Sequence, residues 1–245
     1  MKIYILLLLL IPQSLLGNSV IIFDLGGVVF KEPEHFIFEN LPEDIKSQFP
    51  SDFKSPRVFL RAFDFVNLVS QADLKMPWLM GVISGAEIAN IILKNIDNAK
   101  HSNFFASEQE RLLIKYGALM MFDPEQLAQS TYLYPQALES IKKYKNEGIR
   151  LLILSNWDPL SFEYIKKKYP ELFACFADED IFIPATIGYA KPDKKAYQAI
   201  LDRLHINPCD CYFIDDSKKN IEAAIECGIK SILHTDWQIT TSVLP

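Results

Sequence analysis

Four short apolar runs, separated by stretches with helical spacing, decide what this chain can fold into. They are Val20–Phe23 (VIIF), residues 150–154 (RLLIL), 211–214 (CYFI) and 231–234 (SILH). None alternates apolar with polar residues, as a half-exposed strand would, so each reads as a strand covered on both faces. Residues 135–147, 159–169, 192–204 and 217–227 lie between or before them and read as helices. Pro135, Pro159 and Pro192 suit first turns, and Gly148 and Gly228 suit the ends. Strands alternating with helices predict the α/β class, a parallel Rossmann-like sheet with helices on both faces. Residues 32–131 break the alternation. Apolar residues there recur at spacings of three and four over 56–69, 84–93 and 107–116, and Ser84 with Glu87 makes a capping box. No strand is predicted in that stretch. The expected organisation is therefore a discontinuous α/β core, 18–31 and 132–245, with an all-helical cap, 32–131, inserted after the first strand.

The first residues stand apart from this pattern. Lys2 is followed by an unbroken apolar run from Ile3 to Ile11, and small Gly17 precedes polar Asn18. That is the form of a secretory signal peptide over residues 1–17, cleaved near Gly17. A membrane anchor needs about 20 apolar residues, and Pro12, Gln13 and Ser14 interrupt the run sooner. The mature chain is expected to be exported, periplasmic or secreted, with no stable membrane span. Export would permit disulfides. Of the four cysteines, Cys175, Cys209, Cys211 and Cys227, none forms a CxxC pair or stands beside a clustered histidine, which disfavours zinc. The plainest expectation is small buried hydrophobes. A Cys209–Cys227 or Cys211–Cys227 bridge stays open.

Of the 245 residues, 49% are hydrophobic and 23% charged, enough for a packed core. The net charge of -6 weighs against a nucleic-acid partner, which would need a basic footprint. It does not exclude a small anion, because the charge at a site matters more than the sum.

In sheets of this kind the ligand sits beyond the carboxyl ends of the strands. The first strand ends in Asp24, the second in Ser155-Asn156, and the third in Asp215-Asp216, while Lys191 immediately precedes a predicted helix. If these strands are neighbours, three carboxylates, a hydroxyl, an amide and an ammonium meet. Clustered carboxylates raise one another's pKa unless a cation sits among them. Mg²⁺ answers that need, held by carboxylates, water and a substrate phosphate. Asp24 could then attack phosphorus, while Ser155 and the backbone around Asn156 hold phosphoryl oxygens. Each residue alone has an ordinary structural explanation as a cap, a strand exit or a solvated lysine. The ordered set does not.

These residues resemble the haloacid dehalogenase-like hydrolases, in the branch with a helical cap after the first strand. The resemblance rests on Ile22-Phe23-Asp24-Leu25-Gly26-Gly27-Val28-Val29, then Leu154-Ser155-Asn156, then Lys191-Pro192, then Ile214-Asp215-Asp216-Ser217 with Asn220 and Ala223-Ala224. Residues 81–84 (GVIS) look like the cap segment of that branch. The resemblance implies a phosphoric monoester hydrolase acting on a small phosphorylated metabolite. It implies Asp24 as nucleophile, with Ser155 and Lys191 as phosphate ligands. Asp24, Asp215, Asp216 and the Gly26 carbonyl would hold Mg²⁺, and the cap would close over the site.

One position departs from the pattern. Phosphatases of this family usually carry a second Asp, the general acid and base, where this chain has Gly26. A positioned acid is worth roughly 10²–10⁴-fold in rate. The expectation is a slow phosphatase, one with a substitute donor from Glu32, Glu34 or His35, or a protein that binds phosphate esters without turnover. Two readings compete with the phosphatase. One is a metal-free haloacid dehalogenase, which the paired acids disfavour. The other is a non-catalytic secreted protein that keeps the fold for binding.

Overall fold

The computed structural model describes residues 19–31, 41–48, 74–98, 105 and 107–244. Its centre is a five-stranded parallel sheet in the order β5-β4-β1-β6-β7. These strands are β1 (Val20–Phe23), β4 (Arg150–Leu154), β5 (Ile181–Phe182), β6 (Cys211–Asp215) and β7 (Lys230–Leu233). Two further strands, β2 (Phe30–Lys31) and β3 (Tyr132–Leu133), form a separate antiparallel pair.

The unbroken apolar runs are explained by what covers them. On β1, Ile21 and Phe23 join a core cluster that includes Ile141, Phe162 and Trp237, while Val20 and Ile22 join one on the opposite face with Tyr197, Ile200 and Phe213. Side chains alternate sides along a strand, so a strand buried on both sides must be apolar at every position. The helices α6 (Pro135–Asn146), α7 (Pro159–Lys168), α10 (Lys194–Leu204) and α11 (Lys218–Glu226) supply those covers. Helix α7 begins with Pro159 after Asp158, whose carboxylate accepts the Ser161 N–H at 3.0 Å. Helix α6 buries Ala137, Ile141 and Tyr144, one stripe at spacings of four and three.

The register brings the polar strand ends to one place. Phe23 lies opposite Ile153 on one side and Ile214 on the other, so the chain leaves β1, β4 and β6 at the same edge. The Asp24 N–H donates to the Ile214 carbonyl at 2.9 Å and continues that pairing one residue past the strand.

Between β2 and β3 the described elements are all helical: α1 (Glu43–Lys46), α2 (Lys75–Leu79), α3 (Gly85–Asn98), α4 (Glu108–Phe122) and α5 (Pro124–Ser130). The Ser84–Glu87 capping box forms in both directions, Ser84 N–H to Glu87 Oε2 at 2.8 Å and Glu87 N–H to Ser84 Oγ at 3.2 Å. Ile88, Ile92 and Ile96 of α3 pack with Ile114, Ala118 and Met121 of α4, and Trp78 lies edge-on to Phe122. A Cβ on Gly85 would lie 1.9 Å from the Phe122 carbonyl, so only glycine lets α3 start where it does against the end of α4. Helix α5 rests on the core instead, where Lys168 Nζ of α7 donates to the carbonyls of Ala128, Gln129 and Thr131.

Several expectations need correction. The helix expected from Pro192 starts at Lys194, with Asp193 as its cap; the Lys191–Pro192 peptide before it is cis. The last strand is one residue earlier than 231–234. The pair β2–β3, the edge strand β5 and the C-terminal helix α12 (Trp237–Val243) have no counterpart in the sequence reading. All four cysteines are free thiols, so neither suggested bridge forms; Cys211 is buried and Cys209 exposed. The helix expected at 56–69 and the signal segment 1–17 lie outside the described residues. No helix among the described residues is long and apolar enough to cross a membrane.

Candidate active site

Asp24 is the first residue past β1 and is nearly buried, at 8% exposure. Its Oδ1 accepts hydrogen bonds from the Leu25 N–H at 2.7 Å and Ser155 Oγ at 2.7 Å, and forms an ion pair with the Lys191 Nζ donor at 2.9 Å. None of those three donors engages Oδ2. A carboxylate held this way cannot rotate freely, and its second oxygen is aimed by the first.

Lys191 is the hub of the cluster. Its ammonium is buried and bridges Asp24 Oδ1 and Asp215 Oδ2, the latter at 2.6 Å. Asn156 fixes its backbone from both directions, accepting the Lys191 N–H at 2.9 Å and donating to the Lys191 carbonyl at 2.8 Å. The Asn156 side chain is therefore committed to placing Lys191, which leaves the backbone at 156 as its expected contact with substrate. Ser155 stands at hydrogen-bond distance from the nucleophile candidate, where its hydroxyl could also meet an oxyanion.

Asp215 is fully buried at the end of β6. Its Oδ1 accepts from the Ser217 N–H at 2.8 Å, and Asn220 Nδ2 reaches both of its oxygens, at 2.9 and 3.0 Å. Burial, then the charge of Asp24, pushes its carboxyl up to about 7, against the opposing pull of Lys191. Asp216 is more open, and its carboxyl is also raised, by partial cover first and Asp24 second. One ligand atom from each of Asp24, Asp215 and Asp216 fits within 4.8 Å of the others. Three carboxylates share one ammonium, so the cluster has a charge deficit that a divalent cation would fill.

The glycines of the loop after β1 serve different ends. Gly27 has φ +70°, and a Cβ there would lie 2.2 Å from Asp216 Oδ2. A side chain at 27 would thus drive the Asp216 carboxylate away from the cluster. At Gly26 a Cβ would meet nothing within 4 Å. Glycine is not needed there for space, and the chain offers the site no acid at that position.

The four separated segments seen in the sequence do meet: Asp24, Ser155, Lys191 and the pair Asp215-Asp216. Asn220 stood in the sequence only as part of a motif; the structure gives it a task, orienting Asp215. Glu32, Glu34 and His35, the substitute donors considered from sequence, lie outside the described residues.

The description "haloacid dehalogenase-like hydrolase" fits residues 19–228 of the chain. Phosphatase MT3486 of Mycobacterium tuberculosis (strain CDC 1551 / Oshkosh) is 29% identical over 104 residues, 41% of this chain and 45% of that protein. (S)-2-haloacid dehalogenase 4A of Burkholderia cepacia is 28% identical over 102 residues, 40% of this chain and 42% of its own length. The chain thus spans less than half the length of these curated relatives. Among solved structures, the HAD family enzyme bt-2542 from Bacteroides thetaiotaomicron, in complex with magnesium and inorganic phosphate, shares the fold. Its TM-score is 0.56 at 20% identity, covering 91% of this chain and 99% of that one.

Proposed function

This chain belongs to the haloacid dehalogenase-like hydrolases, and from that premise we propose that it is a magnesium-dependent phosphatase of small phosphate monoesters with Asp24 as its nucleophile. The observation that carries the proposal is the convergence of Asp24, Asp215 and Asp216 within 4.8 Å beside the buried Lys191 ammonium. The donor set suits Mg²⁺, since it is all oxygen and two of its carboxyls are held above their ordinary range by burial and by the charge of Asp24. Asp24, Asp215, Asp216 and the Gly26 carbonyl would hold the ion. Bound there, Mg²⁺ would offset the charge of the phosphoryl group and of the acids around it.

The chain's own residues do the rest. Lys191 and the Leu25 N–H hold the Asp24 carboxylate in one orientation. An Asp24 oxygen forms a bond to phosphorus as the bond to the leaving oxygen breaks, which yields an aspartyl-phosphate and an alkoxide that takes its proton from solvent water. Water then attacks phosphorus, releasing inorganic phosphate and restoring Asp24. Ser155 and Lys191 steady the phosphoryl oxygens through both steps. With Gly26 where an acid would protonate the alkoxide, turnover depends on how readily the leaving group departs.

Phosphatase MT3486, by its name, and the magnesium–phosphate complex of bt-2542 support this over dehalogenation. So does the presence of two adjacent acids beside the nucleophile. The proposal extends to the cap, residues 32–131, as the selector of substrate and cover of the site, and to export of the chain through residues 1–17.

Hydrolysis of an activated aryl phosphate, with and without Mg²⁺, tests it. Wild type should require the metal, and Asp24→Asn should lose at least about a thousandfold in kcat. Halide release from a 2-haloacid in the presence of chelator would make it a dehalogenase. Neither activity would leave a binding protein.

A further inference from the structure

We infer that Trp237, which lies outside the stretch matched to the family, is a positioning residue that holds the nucleophile loop in register with the Asp215 turn and so sets the affinity for the metal. The inference rests on the magnesium reading above.

The loop from Asp24 to Phe30 is closed on itself by local hydrogen bonds: Gly27 N–H to the Phe30 carbonyl, and Val29 and Phe30 N–H to the Leu25 carbonyl. These fix its shape but not its place on the core. One fixing point is the Tyr134 N–H, which donates to the Val29 carbonyl at 3.0 Å. Another is the buried indole of Trp237, whose Nε1 donates to the Val28 carbonyl at 2.9 Å across 209 residues of sequence. The same ring stacks on Phe23, the residue before Asp24, with centroids 6.4 Å apart.

The segment that carries Trp237 also touches the second acid-bearing turn. The His234 N–H donates to the Asp215 carbonyl at 2.8 Å, its ring lies 5.2 Å from the Trp237 ring, and its Nδ1 meets Thr240 Oγ1 at 2.8 Å. Residues 234–240 thus bind the backbone on both sides of the carboxylate cluster. Gly26, the expected carbonyl ligand, lies two residues from the Val28 anchor, and Asp216 lies against Gly27. Freeing Val28 lets the loop shift against Asp215 and Asp216, and an octahedral site with short bonds tolerates little of that. Trp237 lies nine residues beyond the stretch matched to the family, which ends at 228.

Trp237→Phe keeps the stacked ring and deletes the N–H. Calorimetric titration with Mg²⁺ alone, without substrate, should show a dissociation constant about tenfold higher than wild type. The kcat at saturating Mg²⁺ should stay within about twofold, because no group that touches substrate has changed. Ile141→Val trims the same core cluster and removes no hydrogen bond to the loop, so it should lower Tm and leave the Mg²⁺ constant alone. Equal Mg²⁺ constants in Trp237→Phe and wild type, or an equal rise in Ile141→Val, would overturn the inference. Amide hydrogen exchange gives a metal-free readout: Trp237→Phe should speed exchange at Gly27, Val29 and Phe30. If wild type binds no Mg²⁺, the hydrolase proposal fails, and the brace then stands or falls on those amides.

Discussion

At the scale of single residues, adjacent Gly26 and Gly27 should respond to mutation in opposite ways. Gly27 has left-handed backbone and touches Asp216. Gly27→Ala costs about 1–2 kcal/mol in backbone strain alone. It should also weaken Mg²⁺ binding, because the new methyl displaces a ligand; thermal melts and metal titration together separate the two effects. Gly26 has open space where a side chain would go. Gly26→Asp should therefore fold normally and raise kcat on poor leaving groups by about a hundredfold, with a much smaller gain on aryl phosphates. Equal gains on both would show that proton donation is not what the chain lacks. Asn156 makes a third case. Because its amide grips the Lys191 backbone on both sides, Asn156→Ala should lower kcat through a misplaced ammonium. Asn156→Asp can still accept the Lys191 N–H but not donate to its carbonyl, so its kcat should lie between those of Asn156→Ala and wild type.

At the scale of elements, the parts legible in sequence are those whose pattern is dictated by burial on every side. β1, β4 and β6 are continuous apolar runs because core clusters lie on both faces, and α3 announces itself by the Ser84–Glu87 box and an isoleucine stripe. The missed elements lack such signals. Strands β2, β3 and β5 have two residues each, too few for any period to show. Helix α12 (WQITTSV) shows no apolar stripe and leaves Ile239 exposed, and Trp237 ties it to the loop after β1 across 209 residues of sequence. Helix α5 lies at the end of the helical block, yet its partner is α7, fixed by the Lys168 ammonium on three terminal carbonyls. A cation at a helix C-terminus is worth up to about 2 kcal/mol. Lys168→Met should lower stability by about 1 kcal/mol and should expose the 123–131 segment to limited proteolysis before the sheet unfolds, while leaving the Mg²⁺ constant near wild type.

At the scale of the whole molecule, catalytic readiness and stability pull against each other at the centre of the sheet. The candidate site was legible because its residues fall at strand exits, where parallel topology must bring them together. Its energetics were not, because they depend on how deeply each acid is buried. Asp215 at full burial, Asp24 nearly so and Asp216 alongside place three acids around one ammonium. Without a cation, that repulsion is carried by the folded state alone, since the unfolded chain separates the 24 and 215–216 segments. Two effects on thermal melting follow. Mg²⁺ at a hundred times its dissociation constant should stabilise the fold by about 2.7 kcal/mol, a rise in Tm of roughly 5–10 °C for a chain of this size. Asp216→Asn, in chelator, should raise Tm above wild type by relieving one repulsive charge at a position open enough to hydrate an amide. The same variant should lose most of the Mg²⁺-induced rise. A wild-type Tm that is indifferent to Mg²⁺, or an Asp216→Asn protein that melts below wild type in chelator, would mean that the three acids do not form one electrostatic unit.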